Sequence, residues 1–181
     1  MDKCSNCNKR SYLCGSQIGP FTAIDLCGIT GAIPPVTPSA CSSLCEYGYI
    51  YNLSPETVAV EADVIFDSTG IVTPGITHIP GTSQIVVTTP GIYEVTFSVS
   101  GVEPNQFTLF LNGVPIPVSV YGSGAGTQQN TGQVIIAIPA GGILTLRNHT
   151  SAAAVILQTL AGGTQTNVNA SIILKMLSPI V

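Results

Sequence analysis

Six cysteines give this sequence its greatest capacity for chemistry, and all of them lie in the first 45 of its 181 residues. Thiols can bind zinc, exchange electrons or form disulfides. The series opens with a Cys-x-x-Cys pair, but the last pair has a three-residue gap and no zinc-ribbon pattern surrounds either pair. A redox pair would need a βαβ context, which is not visible. Structural disulfides are therefore favoured, and zinc binding and free thiols stay open. The cysteines are Cys4, Cys7, Cys14, Cys27, Cys41 and Cys45.

The segment that carries these cysteines, residues 1–45, is predicted to be an extended N-terminal arm. It shows neither helical nor strand periodicity, and residues 28–38 are rich in glycine and proline turn signals. An arm without a core gains little by crosslinking only to itself. We therefore expect its disulfides to join neighbouring chains, and the alternative is a tail whose cysteines pair locally.

Other chemical groups give little support for catalysis. His78 and His149 both lie next to turns and have no His-x-x-x-His spacing, which favours surface or capping roles. Glu56, Glu61, Asp63 and Asp67 cluster in sequence but lack a calcium-loop spacing, so a solvated acidic rim is preferred to a calcium site. There is no Gly-x-Ser-x-Gly motif, and no lysine follows the glycine-rich residues 122–126. The sequence predicts no enzyme, no cofactor and no metal.

Composition narrows the class of protein. Hydrophobic residues make up 45% of the chain and charged residues only 8%, and the mean hydropathy is +0.46, so extensive disorder is excluded. Five Lys and Arg residues with a net charge of −4 cannot neutralise several phosphates, which argues against nucleic-acid binding. No apolar run approaches the roughly 20 residues needed to cross a membrane.

From Glu46 onward the pattern changes to short strands separated by turns. Residues 91–100 alternate strictly, with Tyr93, Val95, Phe97 and Val99 on one face. Asn112-Gly113 predicts a hairpin, and two prolines place its return strand, residues 114–121, at a sheet edge. Further strands are expected at residues 47–53, 65–66, 84–88, 107–111, 134–138, 144–147, 153–158 and 169–177. This spacing predicts an all-β, double-sheet jelly roll of about eight to ten strands.

The same pattern predicts self-association. The segment at residues 134–138 is apolar on both faces, so it needs two surfaces to pack against. Together with the scarcity of charge, this favours an obligate homo-oligomer, and closed rings are the usual symmetry.

Three segments resemble a known family. They are Gly91-Ile92-Tyr93-Glu94-Val95-Thr96, the hairpin from Leu109 to Pro117, and Ala170-Ser171-Ile172-Ile173-Leu174-Lys175. They are similar to the C-terminal domain of the BclA family, collagen-like glycoproteins of the Bacillus exosporium, over residues 46–178. The resemblance implies a jelly roll like that of tumour necrosis factor (TNF) and the complement globular head, which trimerises along a hydrophobic axis. Residues 46–181 would form this domain, and its interface candidates are Val134, Ile136, Ile138, Ile172 and Leu174.

The chain departs from this family because a short Cys-rich arm stands where the collagen-like stalk would be. That plan is similar to the subunits of endospore appendage fibres, whose arms are disulfide-linked to the next subunit. A spore-surface protein made in the mother-cell cytosol would combine many cysteines with the absence of a signal peptide. We therefore expect a structural spore-surface protein of exosporium, coat or appendage that binds copies of itself. Alternatives are a trimeric head that binds a carbohydrate, receptor or spore-surface partner through its loops, and a phage fibre fragment.

Overall fold

The computed structural model describes residues 46–180, and these form an all-β sandwich. The strands are β1 (Tyr47–Asn52), β2 (Thr57–Val58), β3 (Ser68–Val72), β4 (Ile76–His78), β5 (Ile85–Val87), β6 (Gly91–Val99), β7 (Asn105–Leu111), β8 (Val114–Pro115), β9 (Tyr121–Ser123), β10 (Asn130–Ile138), β11 (Gly142–Asn148), β12 (Val155–Ile156) and β13 (Ala170–Pro179).

The strands form two main antiparallel sheets. One sheet has five strands in the order β10-β6-β13-β1-β3. The six-stranded sheet has the order β4-β5-β11-β7-β8, with β9 also paired to β7. Strands β2 and β12 form a small separate ladder.

The core lies between the two sheets and is built by strict alternation. On β6, the side chains of Tyr93, Val95, Phe97 and Val99 are fully or almost fully buried, as the sequence pattern predicts. They pack with inward side chains of β7 and β11 from the opposite sheet. Each large apolar side chain buried in this way contributes roughly 1.5–3 kcal/mol to folding.

Strands β6 and β13 are the centre of the five-stranded sheet. Strand β6 pairs along its whole length with β10 on one side and with β13 on the other. Strand β13 also pairs with all of β1. A solvent-facing side chain of either strand is therefore flanked on both sides by side chains of the neighbouring strands.

The predicted hairpin forms at the expected turn. Asn112 and Gly113 have φ values of 53° and 78°, the left-handed conformations that a two-residue hairpin loop requires. The edge position predicted for its return strand is confirmed. The return strand itself is interrupted, because Pro117 begins a 3₁₀ turn, Pro117–Ser119. The Ser119 hydroxyl accepts a hydrogen bond from the Leu109 N–H at 3.0 Å, in place of a strand partner.

The structure corrects several predicted strands. Residues 65–66 form no strand, because the Ile65 N–H donates to the Glu56 carboxylate at 3.1 Å and Phe66 makes only an isolated bridge. Strands β2, β3 and β4 were not predicted, and the predicted return strand is divided into β8 and β9, so the described residues contain thirteen strands instead of eight to ten. Strands β2 and β4 have two and three residues, too few to produce a visible alternation, and the five residues of β3, Ser-Thr-Gly-Ile-Val, do not alternate.

Candidate functional site: the outer face of the five-stranded sheet

The solvent side of the five-stranded sheet is the surface best placed for a function. Strand register lines up its outward side chains in rows that run across β1, β13, β6 and β10. We call this surface the tyrosine face, because β1 contributes a tyrosine to each row. Its rows are Tyr47, Lys175, Glu94 and Ile135; Tyr49, Ile173, Thr96 and Gln133; and Tyr51, Ser171, Ser98 and Thr131.

The tyrosines form a ladder along β1. The rings of Tyr49 and Tyr51 stack with centroids 5.0 Å apart and planes 19° from parallel. Tyr49 lies against Gly70 of β3, where a Cβ atom would come within 2.9 Å of the ring carbon Cδ1. Partial burial, with a smaller effect of Tyr51, raises the pKa of the Tyr49 hydroxyl. The ladder therefore presents rigid, neutral, amphipathic rings to solvent.

Charge on this face is nearly absent. Three of the five Lys and Arg residues precede residue 46, which leaves only Arg147 and Lys175 in the described domain. The Lys175 ammonium lies 3.7 Å from the Glu94 carboxylate, so the row that contains it is internally neutralised. Between and beside these groups, Ile173 is 36% exposed and Ile135 is 62% exposed. Aromatic rings, hydroxyls and exposed isoleucines without net charge are typical of the centre of an interface.

The predicted interface residues occupy a different place. Ile138, Ile172 and Leu174 have no exposed surface, because their side chains point into the core of the subunit itself. Val134 and Ile136 are half-buried and pack against the same core. Strands β10 and β13 both form, and the predicted residues lie on the inward side of each, whereas the outward residues include Ile135 and Ile173. The parity could have been set from Phe97, which is paired with Ile172 and belongs to the buried series of β6.

The acidic residues of the predicted rim do not converge. The Asp63 carboxylate binds the Arg147 guanidinium, with an Oδ1 to Nε distance of 2.7 Å. Glu61 accepts from the His149 ring at 2.8 Å, while Asp67 accepts the backbone N–H groups of residues 53 and 54. The His149 hydrogen bond, followed by one from the Thr150 N–H, lowers the pKa of Glu61. Within residues 46–180, no group of three potential metal-ligating side chains is placed to hold an ion.

Both histidines have structural partners. The Nδ1 atom of His78 lies 2.7 Å from the Thr69 hydroxyl, and its Nε2 atom lies 3.1 Å from the Thr82 carbonyl oxygen. The ring of His149 packs edge-on against Phe110. These contacts agree with the surface and capping roles expected from the sequence.

Glu46, the first residue that the structure describes, is held to the domain by several hydrogen bonds. Its carboxylate accepts hydrogen bonds from the Thr73 hydroxyl, the Gly75 N–H at 2.9 Å and the Thr89 hydroxyl at 3.3 Å. The Tyr93 hydroxyl donates a hydrogen bond to the Thr89 carbonyl oxygen. Burial, together with the Glu46 charge, raises the pKa of Tyr93 to about 12. The first described residue is thus fixed to the domain. The six candidate disulfide cysteines themselves lie outside the described residues.

An open pocket lies at the opposite end of the sandwich. It has a volume of about 560 Å³ and is lined by small and polar side chains. Several of these are already satisfied within the subunit, since the Thr150 hydroxyl donates to Gln106 at 2.7 Å and the Ser123 hydroxyl donates to the Ala125 carbonyl at 2.7 Å. Its lining residues are Pro104, Asn105, Gln106, Gly122, Ser123, Gly124, Thr150, Ser151 and Ala152.

Comparison with solved structures identifies the fold. The chain is similar to the globular domain of zebrafish complement 1qA protein, with a TM-score of 0.58 and 11% identity, over 75% of this chain and 98% of that chain. The Eiger TNF of S. frugiperda matches with a TM-score of 0.53 and 12% identity, over 75% and 94% of the two chains. The fold is a TNF-like jelly roll.

A third match supports the same fold. Murine APRIL aligns with a TM-score of 0.50 and 10% identity, over 72% of this chain and 98% of that chain. At these identities the likeness concerns the jelly roll alone. No protein-family profile and no curated protein sequence matches the chain. Across residues 46–180, no helix is long and apolar enough to cross a membrane.

Proposed function

We propose that the protein is a structural protein of the spore surface, in exosporium, coat or appendage, that assembles with copies of itself. The observation that carries the proposed self-assembly is the tyrosine face, a neutral, partly apolar surface on the solvent side of the central strands, and the spore-surface location rests on the family resemblance. Packing of this face against another copy would bury Ile173 and the tyrosine rings, at a gain of about 25 cal/mol per Å² of apolar area. A trimer is the first expected assembly, because the family resemblance implies one.

The N-terminal arm provides the second part of the proposed mechanism. Its cysteines form disulfides between neighbouring chains, and Glu46 transmits the resulting restraint to the domain through its hydrogen bonds. Noncovalent packing then sets the geometry of the assembly, and the crosslinks prevent its separation. These disulfides would form when the mother cell dies and the cysteine thiols are exposed to an oxidising medium.

A non-enzymatic role fits the similarity to complement and TNF domains. Asp63 and His78 are held by separate structural partners, and among the described side chains Glu61 pairs with His149 alone, so the described carboxylates and histidines do not converge on one site. We therefore assign the protein no catalytic residues and no cofactor.

The experiment is electron microscopy of negatively stained full-length protein, both oxidised and reduced. Oxidised wild type is expected to form assemblies that persist in mild denaturant. In the same denaturant, reduction of the disulfides should make these assemblies dissociate. Ile173→Lys should abolish the noncovalent assembly, whereas Ile156→Lys, at a 48% exposed position on β12, serves as the matched control. Equal assembly by both variants would contradict the role of the tyrosine face.

A second candidate function is a binding head that recognises a carbohydrate through its loops. The pocket near Gln106, Ser123 and Ser151 favours this alternative, because its lining is uncharged and the Gln106 side-chain NH2, which binds no other group within the described residues, can donate to a polyhydroxylated ligand. A glycan array probed with wild type and Gln106→Ala tests it. Wild-type binding that the variant loses would support the head, and the absence of any binding would remove it.

A further inference from the structure

The ends of the two sheets differ in how they are protected against further strand pairing. Exposed edges are normally kept short, bulged, charged or interrupted by proline. Strand β4 has three residues, β8 has two and includes Pro115, and the ladder from β3 to β1 contains a bulge. Strand β10 has none of these features. It is nine residues long, pairs with β6 without a register shift, and contains neither proline nor a charged residue.

The free hydrogen-bonding groups of β10 can be assigned from one contact. The Tyr121 hydroxyl donates to the Gln133 carbonyl oxygen at 2.9 Å, so this carbonyl points away from β6. In an antiparallel strand the N–H and C=O of one residue point to the same side, and the direction alternates along the chain. The backbone groups of Ile135 and Ala137 therefore also point to the open side of the sheet.

The side chains around this edge suit a second apolar strand. Residues 134–138 are Val, Ile, Ile, Ala and Ile. A groove of about 430 Å³ follows the edge, lined by Glu94, Tyr121, Gln133, Val134 and Ile135. Tyr121 limits the open length, because its hydroxyl occupies the acceptor of Gln133. The 3₁₀ turn Pro117–Ser119 also lies beside β10. The edge available for pairing is therefore the part after Gln133 that neither Tyr121 nor this turn covers.

We propose that β10 is a second self-association site, at which the edge pairs antiparallel with β10 of another copy. This goes beyond the packing of the tyrosine face and rests on the proposed function only in taking a second copy as the partner. The edge is self-complementary, since two uncharged apolar strands satisfy each other's free N–H and C=O groups in one two-fold contact. The pairing would also continue the tyrosine face from one subunit to the next, because its rows end at Ile135 and Gln133. A two-fold contact of this kind links oligomers that the tyrosine face has closed.

Proline at position 137 tests the edge while keeping both the fold and the rows of the tyrosine face. The Ala137 N–H points outward, so Ala137→Pro removes an edge donor and spares the ladder to β6. Ala137→Thr keeps the donor and is the matched control. In sedimentation velocity of reduced full-length protein, the proline variant should weaken the largest association step at least tenfold, whereas the threonine variant should stay within about threefold of wild type. Equal behaviour of the two variants would overturn the proposal.

Three further measurements keep the test decisive. Hydrogen exchange of the Ile135 and Ala137 amides in wild type should slow as protein concentration rises, and exchange that is fast at every concentration overturns the proposal even if the proline variant misfolds. Tyr121→Phe frees the Gln133 carbonyl and should tighten the pairing roughly threefold to tenfold, the usual range for one hydrogen bond. Ile173→Lys separates the two sites. It should dissolve the oligomer built on the tyrosine face and leave concentration-dependent protection of the β10 amides, whereas failure of the edge alone leaves that oligomer intact.

Discussion

The solvent sides of the two sheets differ in how their large side chains are covered. On the six-stranded sheet, Phe110 faces outward but is only 3% exposed, because the Arg147 guanidinium lies 4.1 Å above its ring and His149 packs against its edge. Arg147 is in turn fixed by Asp63. On the five-stranded sheet, the tyrosines and Ile173 have no comparable cover within the described residues.

This difference shows which surface one subunit completes by itself. The six-stranded sheet covers its outward aromatic ring with the His149 ring and with Arg147, whose charge is balanced by Asp63, so this ring is buried without a partner. The tyrosine face has a single ion pair, Lys175 with Glu94, which lies in its first row. The aromatic and aliphatic side chains of this face stay exposed to solvent. Apolar area that a subunit leaves uncovered can be buried only by another molecule.

The largest expected effect compares the two outward aromatic positions directly. Phe110→Ala should lower the free energy of unfolding by about 3 kcal/mol, because it removes a buried ring and leaves a cavity under Arg147. Tyr49→Ala should cost the isolated subunit less than about 1 kcal/mol and should reduce self-association instead. Urea unfolding of the reduced protein at low concentration measures both values. A Tyr49→Ala loss as large as that of Phe110→Ala would mean that the tyrosine face is stabilised within the subunit.

A smaller effect is expected from the cover itself. Arg147→Met keeps much of the apolar contact with Phe110 but removes both the cation and the ion pair with Asp63. We expect a loss of about 1–2 kcal/mol, from a partly buried ion pair and a cation–π contact. Lys175→Met on the tyrosine face should change unfolding by less than about 0.5 kcal/mol, because its ion pair is longer and more exposed. Thermal unfolding of both variants distinguishes a completed surface from an open one.

The sequence was sufficient for the fold wherever a strand is long enough to alternate. The buried series on β6 and the turn at Asn112-Gly113 follow from period and backbone conformation alone. The inward orientation of Val134 and Ile136 could not be predicted, because Val134, Ile135 and Ile136 are all apolar and a uniform run does not show which side faces the core. The cover of Phe110 could not be predicted either, since it joins residues 63 and 147, which are far apart in the chain.

The smallest expected effect concerns pH at the six-stranded sheet. The His149 hydrogen bond and the Thr150 N–H lower the pKa of Glu61 in the folded state. A carboxylate with a lowered pKa stabilises the fold above its unfolded pKa of about 4.3, and this contribution disappears as pH falls through the lower, folded value. Glu61→Gln should therefore melt at a lower temperature than wild type at pH 6, and the difference should shrink towards pH 3. Glu94→Gln on the tyrosine face, whose carboxylate lies 3.7 Å from Lys175, is the control and should change the melting temperature less at pH 6. A difference for Glu61→Gln that is constant with pH would show that the residue acts through packing and not through its charge.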